Sequence, residues 1–139
     1  WHYGVRLEAQ GYRQIIDGNE IVKALGIEQK VAPLGYVFNR TWGETNASAV
    51  NSFFDQVKIA KDQLCASDDS WQAIASLTKA KDKATENLLR SRYCQGRIKD
   101  WGQAQQQAAE KVYNILKQLS QNRLTGASEH IQPGTFWTK

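Results

Sequence analysis

Residues 46–64 read NASAVNSFFDQVKIAKDQL, and the spacing of their apolar positions decides the fold class. Val50, Phe53, Phe54, Val57 and Leu64 recur at intervals of three and four, with the stem of Lys61 at the rim of the same face. That is the period of an amphipathic helix; a half-buried strand would alternate at every second residue. No proline or glycine interrupts the run, so the spacing predicts one long helix over 46–64. Asn46-Ala47-Ser48 fits the N-glycosylation acceptor pattern, but a three-residue match is weak and a helix cap explains it as well.

The same period continues toward the C-terminus. A shorter helix is expected over 69–78, with Trp71, Ile74, Ala75 and Leu77 apolar and Asp68 and Asp69 at its favoured, N-terminal end. Another covers 82–94, where Ala84, Leu88 and Leu89 share a broad face, Tyr93 extends it and Gly96 stops it. Over 101–121 the residues Ala104, Ala108, Val112, Ile115, Leu116 and Leu119 form a seam expected to be buried, with Gln103, Gln105, Gln106 and Gln107 outside. In the tail, 123–139, Gly126, Pro133 and Gly134 make turns, and Phe136 and Trp137 are expected to dock onto the body of the protein or onto a missing partner.

Toward the N-terminus the pattern is mixed. Short helices are expected at 1–10, ended by Gly11, and at 19–25, capped by Asn19 and followed by Gly26. Two runs have strand character: YRQII at 12–16, before the Asp17-Gly18 turn, and VAPLGYVF at 31–38, whose core is Leu34–Phe38 because Pro33 lacks a donor. The expected fold class is therefore mostly α with two short strands.

Composition agrees with one folded domain. The chain has 139 residues, 41% apolar and 23% charged, which excludes a disordered polar tract. No Gly-x-x repeat and no 18-residue apolar stretch occurs, which excludes collagen and an apolar membrane span. The net charge of +4 is mild. Between Lys79 and Lys99 seven basic residues accompany two acidic ones, but Tyr93 is the single aromatic among them; a solvated helix face fits better than a nucleic-acid surface, and no nucleic-acid partner is expected. Residue 1 is Trp, so a processed product or a piece of a larger fold is expected.

Chemical motifs are few. His2 and His130 are far apart and each cysteine is alone locally, so no metal site is expected. No phosphate-binding glycine loop, metalloprotease helix or nucleophile elbow is present; neither enzymatic activity nor a cofactor is expected. Trp1, His2, Tyr3 and Arg6 combine ring surface, polar tips and a cation, a set that suits a pocket for a planar or anionic molecule and equally the packing of a partly buried helix. Cys65 and Cys94 are open to two readings, a pair of half-buried thiols or a disulfide. Closing that loop would contribute about 3.6 kcal/mol by chain entropy.

Four stretches together carry a resemblance: WHYGVRLEAQGYRQIIDG (1–18), ALGI (24–27), LGYVFNRTW (34–42) and LTGASEHIQPGTFW (124–137). They resemble the C-terminal part of periplasmic substrate-binding proteins of ABC transporters, in the branch of nitrate, sulfonate and thiamine-precursor binders. Within it they are most similar to a subgroup associated with quinoprotein alcohol oxidation. The resemblance implies the C-terminal portion of a two-lobe α/β periplasmic binding protein of type II. Residues 1–30 would be the end of the second lobe and the hinge, and 31–139 a crossover strand and helices returning to the first lobe. It implies a periplasmic chain that captures a small anionic or planar ligand, such as a quinone cofactor, for an ABC transporter permease. It further implies a missing N-terminal half or companion chain. Trp1, His2, Arg6 and Tyr36 would be the ligand-binding residues on this side, and export favours the Cys65–Cys94 disulfide. The alternative is a helical protein–protein interaction or accessory module without a small-molecule site.

Overall fold

The computed structural model describes residues 2–137. In chain order its helices are α1 (His2–Ala9), α2 (Gly18–Ala24), α3 (Arg40–Thr45), α4 (Ala47–Ala66), α5 (Asp68–Ala75), α6 (Lys83–Gly96) and α7 (Gln103–Ser120), with a 3₁₀ turn at Ser76–Thr78 after α5. The chain divides into two compact units, residues 1–14 with 36–97 and residues 15–35 with 98–139. No helix among the described residues is long and apolar enough to cross a membrane.

Local chemistry sets most helix ends. Asp17 Oδ1 accepts the Glu20 amide at 2.8 Å while the Glu20 carboxylate accepts the Asp17 amide, a reciprocal cap that starts α2 two residues before the expected Asn19. Asn39 caps α3 through the Trp42 amide at 3.0 Å. Ser67 caps α5 through the Ser70 amide, and Asp82 caps α6 through the Thr85 amide at 2.7 Å and its hydroxyl at 2.9 Å. Helices α1 and α2 end as expected at Gly11 and Gly26, whose φ of +91° and +78° a side chain would oppose. The turn after α2 carries Ile27 inward, where it is 2% exposed.

In the first unit Val5 of α1, Trp71 of α5 and Leu89 of α6 form the core, and Leu64, Ile74, Ala80, Leu88 and Tyr93 pack on it. The expected face of α4 is largely realised: Val50 is buried and Phe54, Val57, Lys61 and Leu64 are half-buried, while Phe53 is exposed. Cys65 and Cys94 form a disulfide, with Cα atoms 5.8 Å apart, which joins the ends of α4 and α6. Three arginines reinforce that junction and its surroundings. Arg90 donates to the Leu64 and Cys65 carbonyls, both at 3.2 Å, and pairs with Asp68. Those two carbonyls belong to the last turn of α4 and have no partner within the helix. Arg92 pairs with Glu8, and Arg97 with Asp62 at 2.7 Å. The basic stretch is thus partly an internal brace rather than only a solvated face.

In the second unit the tail folds onto α7. Lys117 Nζ lies 2.6 Å from Glu129, the Ile131 amide donates to Glu110, and the Tyr113 hydroxyl lies 3.0 Å from the Ser128 carbonyl. Phe136 meets Trp101 edge-on at 5.2 Å, the docking expected for it. This contact set corrects the expected seam. Ala108 is 1% exposed and Val112 and Ile115 are half-buried, but Ala104 and Leu116 are exposed and Leu119 is 75% exposed. The tail covers the flank of α7 that carries Glu110, Tyr113 and Lys117, so polar groups with partners displace part of the apolar seam.

The expected fold class is also corrected. Among the described residues the chain is all-helical, about 62% helix, with no strand. Residues 12–16 and 31–38 are irregular, and Ile15, Leu34 and Val37 are 86%, 87% and 96% exposed. Strand formers specify a strand only where a second strand takes their backbone groups, and neither run finds one here. The expected mostly-α chain with two short strands is therefore replaced by an all-α arrangement.

Candidate functional site

The register that turns Val5 of α1 into the core leaves His2, Tyr3 and Arg6 along one flank, at spacings of three and four. That flank borders a cleft of about 620 Å³ inside the first unit. Leu64 from the end of α4, Trp71 and Ile74 from α5, and Leu89 and Tyr93 from α6 form its apolar floor. Leu77, Thr78 and Lys79 close one end.

Arg6 and Lys79 are cationic residues of the cleft lining, and the fold holds Arg6 firmly. Its Nη2 donates to the Thr78 carbonyl at 2.6 Å and its Nη1 to the Lys79 carbonyl at 3.2 Å. These bonds fasten a turn in which Lys79 has a φ of +53°. A guanidinium has five N–H groups, and two are engaged this way. The rings lie in two pairs: His2 and Tyr3 with centroids 4.2 Å apart, and Trp71 and Tyr93 at 6.0 Å. Burial pushes the Tyr93 hydroxyl above its ordinary pKa. Trp71 Nε1 is buried without an acceptor at hydrogen-bond distance among the described residues. The Glu86 carboxylate it approaches is held below the usual carboxylate range, first by Lys83 and then by Gln72. Rings, aliphatic floor and one guanidinium are suited to holding a flat molecule with a negative group.

Of the residues expected to bind ligand, the structure brings His2 and Arg6 together at this cleft. Trp1 lies outside the described residues. Tyr36 belongs to another cluster, edge-on to Phe53 and Phe54 at 5.6 and 5.5 Å, with Lys61 Nζ 5.5 Å from its ring centre. Sequence reasoning missed Leu64, Trp71, Ile74 and Tyr93 as lining. A signal existed: Leu64 and Tyr93 immediately precede the two cysteines, so closing the disulfide draws both toward one wall. The disulfide is compatible with an oxidising compartment. No protein-family model and no curated protein matches the chain.

Proposed function

We propose that the chain forms one side of a capture site for a small planar anion in a solute-binding system, completed by groups from a companion chain or a further segment of the polypeptide. The observation that carries this reading is the convergence of His2, Tyr3 and Arg6 on a cleft floored by Trp71 and Tyr93. The rings offer stacking surface, and the guanidinium offers a fork for a carboxylate. Tyr3 is 74% exposed at the rim, whereas a small-molecule site covers most of its ligand; a second wall supplies that cover. The sequence resemblance supports a periplasmic setting, delivery to an ABC transporter permease, and a quinone carboxylate as one such ligand. Calorimetry with benzoate-class anions and quinone carboxylates tests the reading. Binding is expected for a longer polypeptide containing this chain, weakened at least tenfold by Arg6→Ala, with little binding by the 139-residue chain alone. Micromolar binding by the chain alone, lost in Arg6→Ala, would refute the need for a second wall. The exposed Ile15, Leu34 and Val37 favour a second reading, a helical interaction module; absence of binding by either polypeptide would place that reading ahead.

A further inference from the structure

The Cys65–Cys94 disulfide sits in an environment that treats its two sulfurs unequally. Arg97 Nη1 lies 3.7 Å from Cys65 Sγ. The Arg97 side chain is only 8% exposed, and its Nε is buried with no acceptor among the described residues. Nη1 also donates to the Lys61 carbonyl at 2.8 Å, and a thiolate is a stronger acceptor for its N–H groups than a disulfide sulfur. Two features oppose a thiolate here: Cys65 is at the C-terminal, negative end of α4, and Asp62 shares the Arg97 charge. Both are weakened. Arg90 donates to the Leu64 and Cys65 carbonyls and so covers that helix end with a second cation. Asp62 is half exposed, where water screens its charge, while the guanidinium is buried beside the sulfur. Both cysteines are half-buried.

We infer that this disulfide is an exchange site for small thiols, in which Cys65 is the leaving sulfur and Arg97 the group that stabilises its thiolate. The thiolate of a glutathione-class monothiol attacks Cys94 Sγ. A bond forms between the two sulfurs, the Cys65–Cys94 bond breaks, and its electron pair stays on Cys65 Sγ. A second thiolate attacks the sulfur of the first monothiol, which releases Cys94 as a thiolate that takes a proton from water. The protein disulfide is reduced by two electrons and two monothiols are oxidised to their disulfide. Exchange favours departure of the sulfur whose thiolate is the more stable, which fixes the direction of the first step. Because Leu64 and Tyr93 adjoin the two cysteines and line the cleft, the bond broken is the one that fastens that wall.

The test begins with the oxidised chain and limiting glutathione at neutral pH, followed by acid quench and peptide mapping. Glutathione is expected on Cys94 with Cys65 released; glutathione mainly on Cys65, or on both equally, would overturn the proposal. In the fully reduced chain, iodoacetamide is expected to alkylate Cys65 at least fivefold faster than Cys94; a smaller ratio would overturn it. Arg97→Gln should bring the mapping preference to within twofold of even, while Lys83→Gln, which removes a cation at the far, N-terminal end of α6, should retain it. Retention in Arg97→Gln, with far-UV circular dichroism showing an intact fold, would remove Arg97 from the mechanism and overturn the assignment. The wild-type mapping decides the direction of exchange even where Arg97→Gln does not fold.

Discussion

Single polar side chains fix where this chain bends. Asp82 accepts the amide and hydroxyl of Thr85, and those bonds hold its carboxyl below the usual carboxylate range. A carboxylate whose pKa is depressed by folding contributes stability that is present above its unfolded pKa and lost as pH falls through its folded one. The urea midpoint of the chain should therefore fall as pH drops from about 5 to about 2, the region where native carboxylates protonate. Asp68, paired with Arg90, and Glu129, paired with Lys117, shift in the same direction and add to that loss. Asp82→Asn keeps a capping oxygen without the titration and should flatten part of the profile; an identical profile would show that Asp82 does not contribute. Asp82→Ala, which removes the cap, should lower the urea midpoint at neutral pH. The sequence displays an acidic residue before each of α2 and α6, yet caps compete: Asp17 and Asn19 both suit the position before α2, and only the backbone turn distinguishes them.

Helices α4 and α6 depend on each other through the disulfide and the Arg90 and Arg97 braces. Cys65→Ser with Cys94→Ser should lower stability by about 3 kcal/mol if chain entropy governs the effect. Urea melts of the double variant and the oxidised parent measure it, and a difference under about 1 kcal/mol would mean strain or residual structure offsets the cross-link. Leu89→Ala, at the core of α6, should cost roughly 2–5 kcal/mol. Leu119→Ala, on the face of α7 that the periodic pattern marked for burial, should change stability by less than about 0.5 kcal/mol because the residue is exposed. A large loss from Leu119→Ala would restore the seam as the packed face. The existence of both helices was legible from their period, since neighbours at three and four residues are set within the helix itself. Which side of α7 packs was not, because Lys117 and Tyr113 gain partners from tail residues that no helical period relates to them.

At the scale of the whole chain, the uncovered apolar residues matter most. Ile15, Leu34 and Val37 stand in segments without regular structure and contribute little to folding of the chain alone. Val37→Lys should leave the unfolding free energy from urea melts within about 0.5 kcal/mol and reduce binding of a hydrophobic dye; a destabilisation above about 2 kcal/mol would place Val37 in a packed interior. The sequence by itself determined a helix-rich chain, the glycine stops after α1 and α2, the long helix α4, and the residues His2 and Arg6 as neighbours on one flank. These follow from backbone sterics, caps and contacts a turn apart, which act within a few residues. Only the tertiary structure decided that 12–16 and 31–38 are not strands, since a strand is completed by backbone groups from elsewhere in the chain. It likewise decided that Tyr36 stands apart from the cleft and that Trp71 and Tyr93 form its floor, because burial is a relation between distant residues and is set by which faces meet.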